Sequence, residues 1–490
     1  MRPILQILLV VAGLVLFSLA TLTNQKIWPK QYLSLSSGSV ILSSSQVVES
    51  ASCSIYVLDP ARDLGMPACN YADTAIWPHA LKKTGLGGST VPLQHWEYQY
   101  AVHLWLEEAV IDNGARTDRL SRADLIFVNM HCYETWRAGK WWQTYKEGVK
   151  NGVDPELYRV QAMEFLRSWP QWRQSNGSRF VVAPFNPALP EKTLDAQRPC
   201  SSSPFIITSE HTMLCEQKLE AHAQQGLILP YVTDTHQEGF DPLAATRDTL
   251  LFYRGGCSPS SSSAPSGPRY SSGKLLRRAV VDAVQASNAT DVDVRCGCDI
   301  CPGALSHSQV LARMRSSRYC LMLPGDKASS RRGTEAALSG CIPVIVGPPW
   351  HTLVLADEID HAASSVFISV RHVTWVVANT SLARSDNHPS VLTAWYLDTD
   401  LPPGQMLHVD TLDEVVDVLR ALPPKVLAAK QAALAREAYK QYWLPAPGET
   451  KSQLGEIVVK KLCDHAQTLK DRGIILPHPT PLQGRKLLAE

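Results

Sequence analysis

The sequence has no excess of charge of either sign. Its 490 residues include 47 lysines and arginines against 46 aspartates and glutamates, and no long basic run breaks this balance. A protein that binds nucleic acid needs a positive field to attract the phosphate backbone. The composition therefore excludes nucleic acid as a leading partner.

Charged residues are also missing from Pro3 to Leu22, where Ile, Leu, Val and Phe dominate. An apolar run of about 20 residues is long enough to cross a bilayer as a helix. We expect residues 1–24 to be a transmembrane signal anchor of a single-pass protein whose bulk is luminal. The alternative is a cleaved signal peptide, because Ser18-Leu-Ala20 approximates the small-x-small cleavage pattern. Residues 25–50 are rich in serine, which is typical of a flexible stem.

The twelve cysteines fit an oxidising compartment in which some of them pair as disulfides, although composition leaves the connectivity open. Cys296, Cys298 and Cys301 have the close spacing of zinc ligands. However, no further His or Cys pair lies at a suitable distance to complete four ligands, and luminal thiols tend to oxidise. We therefore expect disulfides here and no metal site.

A chain of this length exceeds the size of a single hydrophobic core, so more than one domain is expected. From Ser54 onward, short apolar runs alternate with helical stretches, and this alternation predicts a parallel α/β sheet. A second series of the same kind begins at Thr249. We predict an α/β fold with two Rossmann-like domains, residues 51–245 and 246–425, facing a central cleft, and C-terminal helices and a tail at 426–490.

The individual elements follow from the apolar spacing. The predicted strands are residues 55–58, 125–128, 180–183, 205–207, 227–230, 249–253, 319–323, 342–346 and 366–370. The predicted helices are residues 94–111, 156–170, 274–286, 335–338, 411–421 and 424–442.

The segment from Arg318 to Val346 is predicted to form a strand, a polar loop, a short helix and a second strand. In a parallel sheet, the loop at the carboxyl end of a strand faces the ligand crevice, where an anion such as a diphosphate can bind. Ser329 or Ser330 can cap the helix, which places Arg332 in its first turn and Glu335 on the same face. Arg332 can then fork onto phosphate oxygens while Glu335 accepts from ribose hydroxyls. The alternative is an ordinary surface ion pair between the two side chains.

The same segment closely resembles the signature of exostosin-type glycosyltransferases, the GT47 family, in its plant or algal form. The matching residues are Pro-Gly-Asp326, then Ser330-x-Arg332-x-x-Glu335-Ala, then Gly340-Cys-Ile-Pro-Val-Ile345. Further matches follow the family order and extend the resemblance over about residues 54–445. They comprise residues 55–59, 122–128, 172–179, 227–231, 251–255 and 357–370.

The resemblance implies a GT-B fold, with acceptor contacts mainly from the first domain and donor contacts mainly from the second. It implies that Arg332 and Glu335 lie at the donor nucleotide, with Ser330 and Arg331 beside them and Arg254 near the diphosphate. It also implies that the sugar is transferred with inversion, without a catalytic metal or another cofactor.

Together with the apolar N-terminus, this resemblance predicts a glycosyltransferase of the Golgi membrane, of type II topology, that is a hexosyl- or pentosyltransferase. The expected partners are a nucleotide sugar, a glycan or glycoprotein acceptor and the Golgi membrane. Homo- or hetero-oligomers with related glycosyltransferases are also expected.

An inverting transfer needs a base that removes the proton of the acceptor hydroxyl. His131 follows a predicted strand and is our candidate, while Glu134, Glu210 and His211 occupy similar positions. A rival interpretation is a non-catalytic, carbohydrate-binding or complex-forming protein that retains the fold. This rival is favoured by Pro184-Phe-Asn186, which stands where many relatives carry His-Asp. A glycosidase would need a pair of inward carboxylates, and the sequence displays no such pair.

Overall fold

The computed structural model of this chain describes a defined subset of its residues, all within the compact unit Glu49–Glu490. The described residues are 52–65, 102–130, 155–183, 204–209, 226–233, 240–257, 272–297, 304–323, 330–346, 353–370 and 406–474. The predicted anchor (1–24) and the predicted stem (25–50) lie outside them. Among the residues described, no helix combines the length and the apolar character that a membrane span requires.

Five parallel strands form the first sheet, namely β1 (Ile55–Leu58), β2 (Leu125–Val128), β3 (Phe180–Val182), β4 (Phe205–Thr208) and β5 (Gly226–Ile228). Each strand pairs with the next one along the chain. Every residue of β2 and β3 is buried. Uninterrupted apolar strands are expected in a parallel sheet because both of its faces are covered.

The helices of this part of the chain are α1 (Pro60–Leu64), α2 (Val102–Asp112), α3 (Pro155–Ser168) and α4 (Pro170–Ser175). The prediction of one helix over 156–170 is corrected, because the chain is extended at Trp169 and a new helix begins at Pro170. Proline suits the first helical position because it has no N–H to leave unpaired there.

Six parallel strands form the second sheet, namely β6 (Thr249–Gly255), β7 (Val292–Cys296), β8 (Ser317–Met322), β9 (Ile342–Val346), β10 (Val366–Val370) and β11 (Met406–Val409). Their spatial order is β11-β10-β9-β8-β6-β7, so β6 lies between β7 and β8. The described chain therefore forms an α/β fold with two parallel sheets.

The helices that alternate with the strands of the second sheet are α5 (Ser272–Ala286), α6 (His307–Arg315), α7 (Arg332–Leu338) and α8 (His361–Ser364). Successive residues of β6 face different cores. Tyr253 belongs to the large core that contains Val280 of α5, whereas Phe252 belongs to a smaller core with Val310 and Met314 of α6. Helices α5 and α6 thus cover opposite faces of the sheet.

The C-terminal part of the described chain forms α9 (Val415–Arg420), α10 (Pro424–Glu437) and α11 (Gln453–Asp471). Helix α11 returns to the first sheet, where Cys463 forms a disulfide with Cys53 just before β1. The His465 Nε2 atom lies 2.9 Å from the carbonyl oxygen of Ser178. The last helix therefore packs against the beginning of the folded chain.

Candidate functional site

The strand order of the second sheet reverses at β6. The chain passes from β6 to β7 on one side of it and then returns to β8 on the other side. The connections that leave the carboxyl ends of β6 and β8 therefore diverge and leave a crevice between them. In open α/β sheets, ligands bind at such a reversal.

Helix α7 follows β8 at this crevice and begins at Arg332. Arg332 therefore lies in the first turn of the helix, as predicted. The residue that precedes the helix is Arg331, which makes no side-chain cap. Instead, the Ser330 hydroxyl accepts a hydrogen bond from the Arg332 backbone N–H at 3.3 Å. Ser330 thus orders the entry to the helix, while Ser329, the other predicted cap, lies outside the described residues.

Glu335 is only 1% exposed and lies at the centre of a group of polar side chains. Its Oε1 atom lies 2.7 Å from Arg331 Nε and accepts a hydrogen bond from the Thr233 hydroxyl at 3.4 Å. The His307 Nε2 atom lies 3.9 Å from the same oxygen. Thr233 follows β5, so the first sheet contributes to the surroundings of this carboxylate.

The ion pair of α7 joins Glu335 to Arg331, four residues before it, and Glu335 is buried. The alternative of an exposed pair between Arg332 and Glu335 does not describe this geometry. Burial alone would raise the pKa of Glu335, but the charges of Arg331, His307 and Arg332 lower it overall. Glu335 is therefore a carboxylate at neutral pH and can accept hydrogen bonds.

Arg332 differs from Arg331 in the hydrogen-bond partners of its guanidinium. Its Nη1 atom is buried and has no hydrogen-bond partner among the described residues. Burial lowers the pKa of Arg332, and the Glu335 carboxylate opposes this effect without contacting the guanidinium closely. A buried guanidinium nitrogen that lacks a partner is costly unless a ligand supplies an acceptor.

The remaining predicted residues are placed elsewhere or lie outside the described chain. Arg254 Nη2 lies 2.5 Å from the Asp293 carboxylate on neighbouring β7. Because successive strand residues face opposite sides, Arg254 points away from Tyr253, and no described contact joins it to Arg332. His131 and Pro184-Phe-Asn186 lie outside the described residues, so their roles remain predictions.

Sequence reasoning did not single out Tyr253 or Arg277, which the structure places beside Arg332. Burial raises the pKa of Tyr253, and the nearby positive charges of Arg277 and Arg332 offset only part of this rise. Arg277 donates from Nη1 to the Gly256 carbonyl at 3.0 Å and from Nη2 to the Leu323 carbonyl at 3.5 Å. One sequence signal could have identified them. Residues 249–286 show the same order of strand, loop and helix as the segment from which Arg332 was predicted.

Two disulfides join neighbouring strands of the second sheet. Cys257 after β6 pairs with Cys296 at the end of β7, and Cys320 of β8 pairs with Cys341 before β9. The predicted preference for disulfides thus holds for Cys296, which is not available as a zinc thiolate. The other two members of that cluster, Cys298 and Cys301, lie outside the described residues.

A cleft beside α7 is lined by both halves of the chain. From the first half come residues that follow β4 and β5, and from the second half come residues at the carboxyl ends of β8 and β9 and in α7. The lining includes Ser209, Tyr231, Leu323, Ser330, Thr334 and Ile345. An arrangement of this kind allows one ligand to contact both sheets.

The class of protein is defined by the match of residues 49–382 to the exostosin GT47 domain, which covers more than half of the chain. This chain belongs to the exostosin GT47 family. The crevice with Arg332 and Glu335 falls within the matched residues.

Two curated relatives come from Arabidopsis thaliana. "Probable xyloglucan galactosyltransferase GT20" is 23% identical over 329 residues, which are 63% of this chain and 52% of that protein. "Probable xyloglucan galactosyltransferase GT15" is 23% identical over 230 residues, 44% of this chain and 45% of that protein. The chain thus spans about half the length of the curated relatives it matches. A solved structure, the glycotransferase of kitacinnamycin, is 13% identical, and the match covers 85% of this chain and 90% of the chain in that structure. The TM-score of this match is 0.22.

Proposed function

We propose that this protein is a glycosyltransferase that moves a sugar from a nucleotide-sugar donor to a hydroxyl of a glycan or glycoprotein acceptor. The observation that carries this proposal is the buried Nη1 of Arg332, which has no hydrogen-bond partner among the described residues, beside the buried carboxylate of Glu335 at the strand-order reversal. A cation that makes no ion pair with a described residue suits a diphosphate, and a carboxylate suits ribose hydroxyls. Membership in the exostosin family and the names of its relatives support the same activity.

In the proposed reaction, the acceptor hydroxyl attacks the anomeric carbon while the bond from that carbon to the diphosphate oxygen breaks. The electron pair of this bond leaves with the nucleoside diphosphate, and a base takes the proton of the hydroxyl. Attack from the side opposite the leaving group inverts the anomeric centre. Arg332 stabilises the negative charge that grows on the leaving group.

His131 is proposed as the base, and Ser330, Arg331 and Arg254 as further donor-site residues. We propose that arginine side chains fulfil the role of a catalytic metal, because a guanidinium can neutralise a departing diphosphate. Transfer should then persist when a chelator removes divalent cations. Loss of transfer with the chelator and its recovery with one added metal would contradict this part of the proposal.

The acceptor and donor are proposed to meet in a GT-B arrangement, since residues of both sheets line the cleft beside α7. We further propose that residues 1–24 anchor the protein in the Golgi membrane in type II orientation, with oligomers of related glycosyltransferases as partners. Fractionation of cells that express the full chain tests the anchor. Complete secretion of a trimmed form would contradict it.

The test of activity is a donor screen on the full chain. Nucleotide sugars are incubated with glycan acceptors, and both the released nucleoside diphosphate and the mass of the acceptor are measured. A galactosyl donor with xyloglucan fragments is the first pair to test, because two relatives carry that name. The expected result is nucleotide release that depends on the acceptor, with an acceptor heavier by one sugar, and loss of both in Arg332→Ala.

Arg278→Met is the matched control in this screen, because Arg278 is exposed and its only described ion pair joins it to Asp282 within α5. This variant should transfer sugar at the rate of the unmodified protein. Acceptor binding without any product, across donors, would instead identify a carbohydrate-binding protein that retains the fold. Equal activity of Arg332→Ala would show that the donor site has been misplaced.

A further inference from the structure

Besides Arg254 Nε, which belongs to the opposite face of β6 from Tyr253, three buried polar atoms near the reversal of strand order have no hydrogen-bond partner among the described residues. They are the Tyr253 hydroxyl, Arg277 Nε and Arg332 Nη1. Each belongs to a different element, β6, α5 and α7 respectively. Burying one donor without an acceptor is costly, and three at one place indicate that an acceptor is brought by a ligand.

The hydroxyl of Tyr253 lies close to Gly255, at the carboxyl end of β6. Tyr253 is 1% exposed, and its ring extends along β6 toward Gly255. A Cβ atom at Gly255 would lie 2.5 Å from the hydroxyl oxygen, which is far closer than such atoms approach. A larger residue at position 255 would therefore force the hydroxyl of Tyr253 to shift.

Arg277 is held across the same crevice. Its two bonded nitrogens reach the carbonyl oxygens of Gly256, after β6, and Leu323, after β8. The guanidinium thus spans the carboxyl ends of the two strands between which the order reverses. Its Nε atom is left without an acceptor in the described part of the molecule.

The positive charges of Arg277 and Arg332 are not compensated by the described part of the chain, where neither side chain takes part in an ion pair. Nearby arginines behave differently, because Arg331 pairs with Glu335 and Arg254 pairs with Asp293. Two guanidiniums that form no ion pair with a described residue favour an anion. The Tyr253 hydroxyl, whose pKa is raised by burial, remains a donor at neutral pH. Donors from three different elements that interact electrostatically with one another suit an oxyanion, which has several acceptor oxygens.

We propose that Tyr253, Arg277 and Arg332 form an oxyanion pocket that binds one phosphoryl group of a nucleoside diphosphate, with the Tyr253 hydroxyl donating to a phosphoryl oxygen. This proposal rests on the proposed donor site and adds Tyr253 and Arg277 to it. Inorganic pyrophosphate is the appropriate probe, since it carries the diphosphate without a base or a sugar.

Binding of pyrophosphate to the full chain is measured by calorimetry and by the shift of the thermal midpoint. Tyr253→Phe removes a hydroxyl that bonds nothing in the described protein. It should therefore leave the midpoint of the free protein unchanged or raised, while pyrophosphate binds about 10-fold to 100-fold more weakly, as expected for a lost hydrogen bond to a charged group. A purely structural role of Tyr253 would lower the midpoint and leave pyrophosphate binding unchanged, which would overturn the proposal.

Arg277→Met and Arg278→Met form a matched pair on α5, because both remove one positive charge from adjacent residues. Only Arg277→Met should weaken pyrophosphate binding, by about 10-fold or more, and Arg277→Lys should recover part of it. Equal loss in the two methionine variants would indicate unspecific attraction and overturn the proposal, as would no binding of pyrophosphate at all.

The proposal and the glycosyltransferase assignment can fail separately. Pyrophosphate binding that depends on Tyr253, in a chain that transfers no sugar from any donor, supports the pocket and contradicts the enzyme. Sugar transfer with an unchanged donor KM in Tyr253→Phe supports the enzyme and contradicts the pocket.

Discussion

Arg331 and Arg332 are adjacent in sequence, but their guanidiniums meet different surroundings. Arg331 is paired with the buried Glu335 at 2.7 Å, whereas Arg332 keeps a buried nitrogen without a described partner. Sequence spacing indicated that an arginine and Glu335 share one face of the helix. It could not decide between the two arginines, because separations of three and four residues both place side chains on one face.

Arg332→Ala is expected to lower kcat/KM for sugar transfer by about 10²–10³, the range found when one donor to a developing charge is removed. The thermal midpoint should stay the same or rise, because the variant removes a buried nitrogen that has no acceptor among the described residues. Arg332→Lys should recover only part of the activity, since lysine lacks the planar fork. Turnover and thermal unfolding of all three proteins provide the measurement. A fall in stability that matches the fall in activity would contradict a role in charge stabilisation.

Glu335→Gln is expected to raise the donor KM more than it lowers kcat, because ribose contacts form equally in the ground state and the transition state. It should also destabilise the protein by about 1–3 kcal/mol at pH 7, because Arg331 loses its partner. The pKa of Glu335 is lowered on folding from its ordinary value of 4.5, so its contribution exists above that value and disappears as the pH falls through the folded pKa.

Urea unfolding of the two proteins between pH 7 and pH 3 tests the electrostatic part of this prediction. The difference in free energy of unfolding should shrink as the pH drops below about 4.5. A difference that is constant over this range would mean that the effect of the substitution is not electrostatic.

At the scale of elements, every described strand was predictable except the two at the edges of the second sheet. Strands such as β2 and β9 are buried at every residue, and their sequences are therefore continuous apolar runs. Strands β7 and β11 lie at the two edges of the second sheet, and their residues are partly exposed. The alternation of valine with charged residues in β7 therefore resembled a polar connection, and the prediction missed it.

The candidate site was predictable where one local segment carries it, as for Ser330, Arg332 and Glu335. Arg277 and Thr233 enter the site from other elements and are separated from α7 by long stretches of chain. Local spacing carries no information about such contacts, which depend on how the strands are ordered. A reversal of strand order cannot be read from a single sequence by periodicity alone.

The Cys320–Cys341 disulfide closes a loop of 21 residues that contains the whole of α7. Replacing both cysteines with alanine is expected to destabilise the protein by about 3 kcal/mol, because the unfolded chain regains the freedom of that loop. The donor KM should rise as well, since α7 carries Arg332 and Glu335. Chemical unfolding and donor titration measure the two effects. An unchanged donor KM at full folding would show that packing alone positions α7.

At the scale of the whole molecule, α11 connects the two halves of the described chain. Lys470 lies 2.7 Å from Asp124, which precedes β2 of the first sheet. On the same helix, Lys461 lies 2.8 Å from Glu358, which precedes α8 in the second half. The C-terminal helix therefore makes contacts with both halves of the described chain, where the sequence had indicated only that helices and a tail occupy residues 426–490.

The Cys53–Cys463 disulfide should have the largest effect on stability of the three described disulfides, because it joins residues 410 positions apart. The entropy that a crosslink removes from the unfolded chain grows with the length of the closed loop, so replacing both cysteines with alanine should cost about 6 kcal/mol. The same change at Cys257 and Cys296, which are 39 positions apart, is the control and should cost about 4 kcal/mol. Free energies of unfolding in urea, measured without reductant, give the comparison. A smaller loss at Cys53 and Cys463 than at the control pair would mean that α11 remains on the first sheet through Lys470, His465 and its apolar face alone.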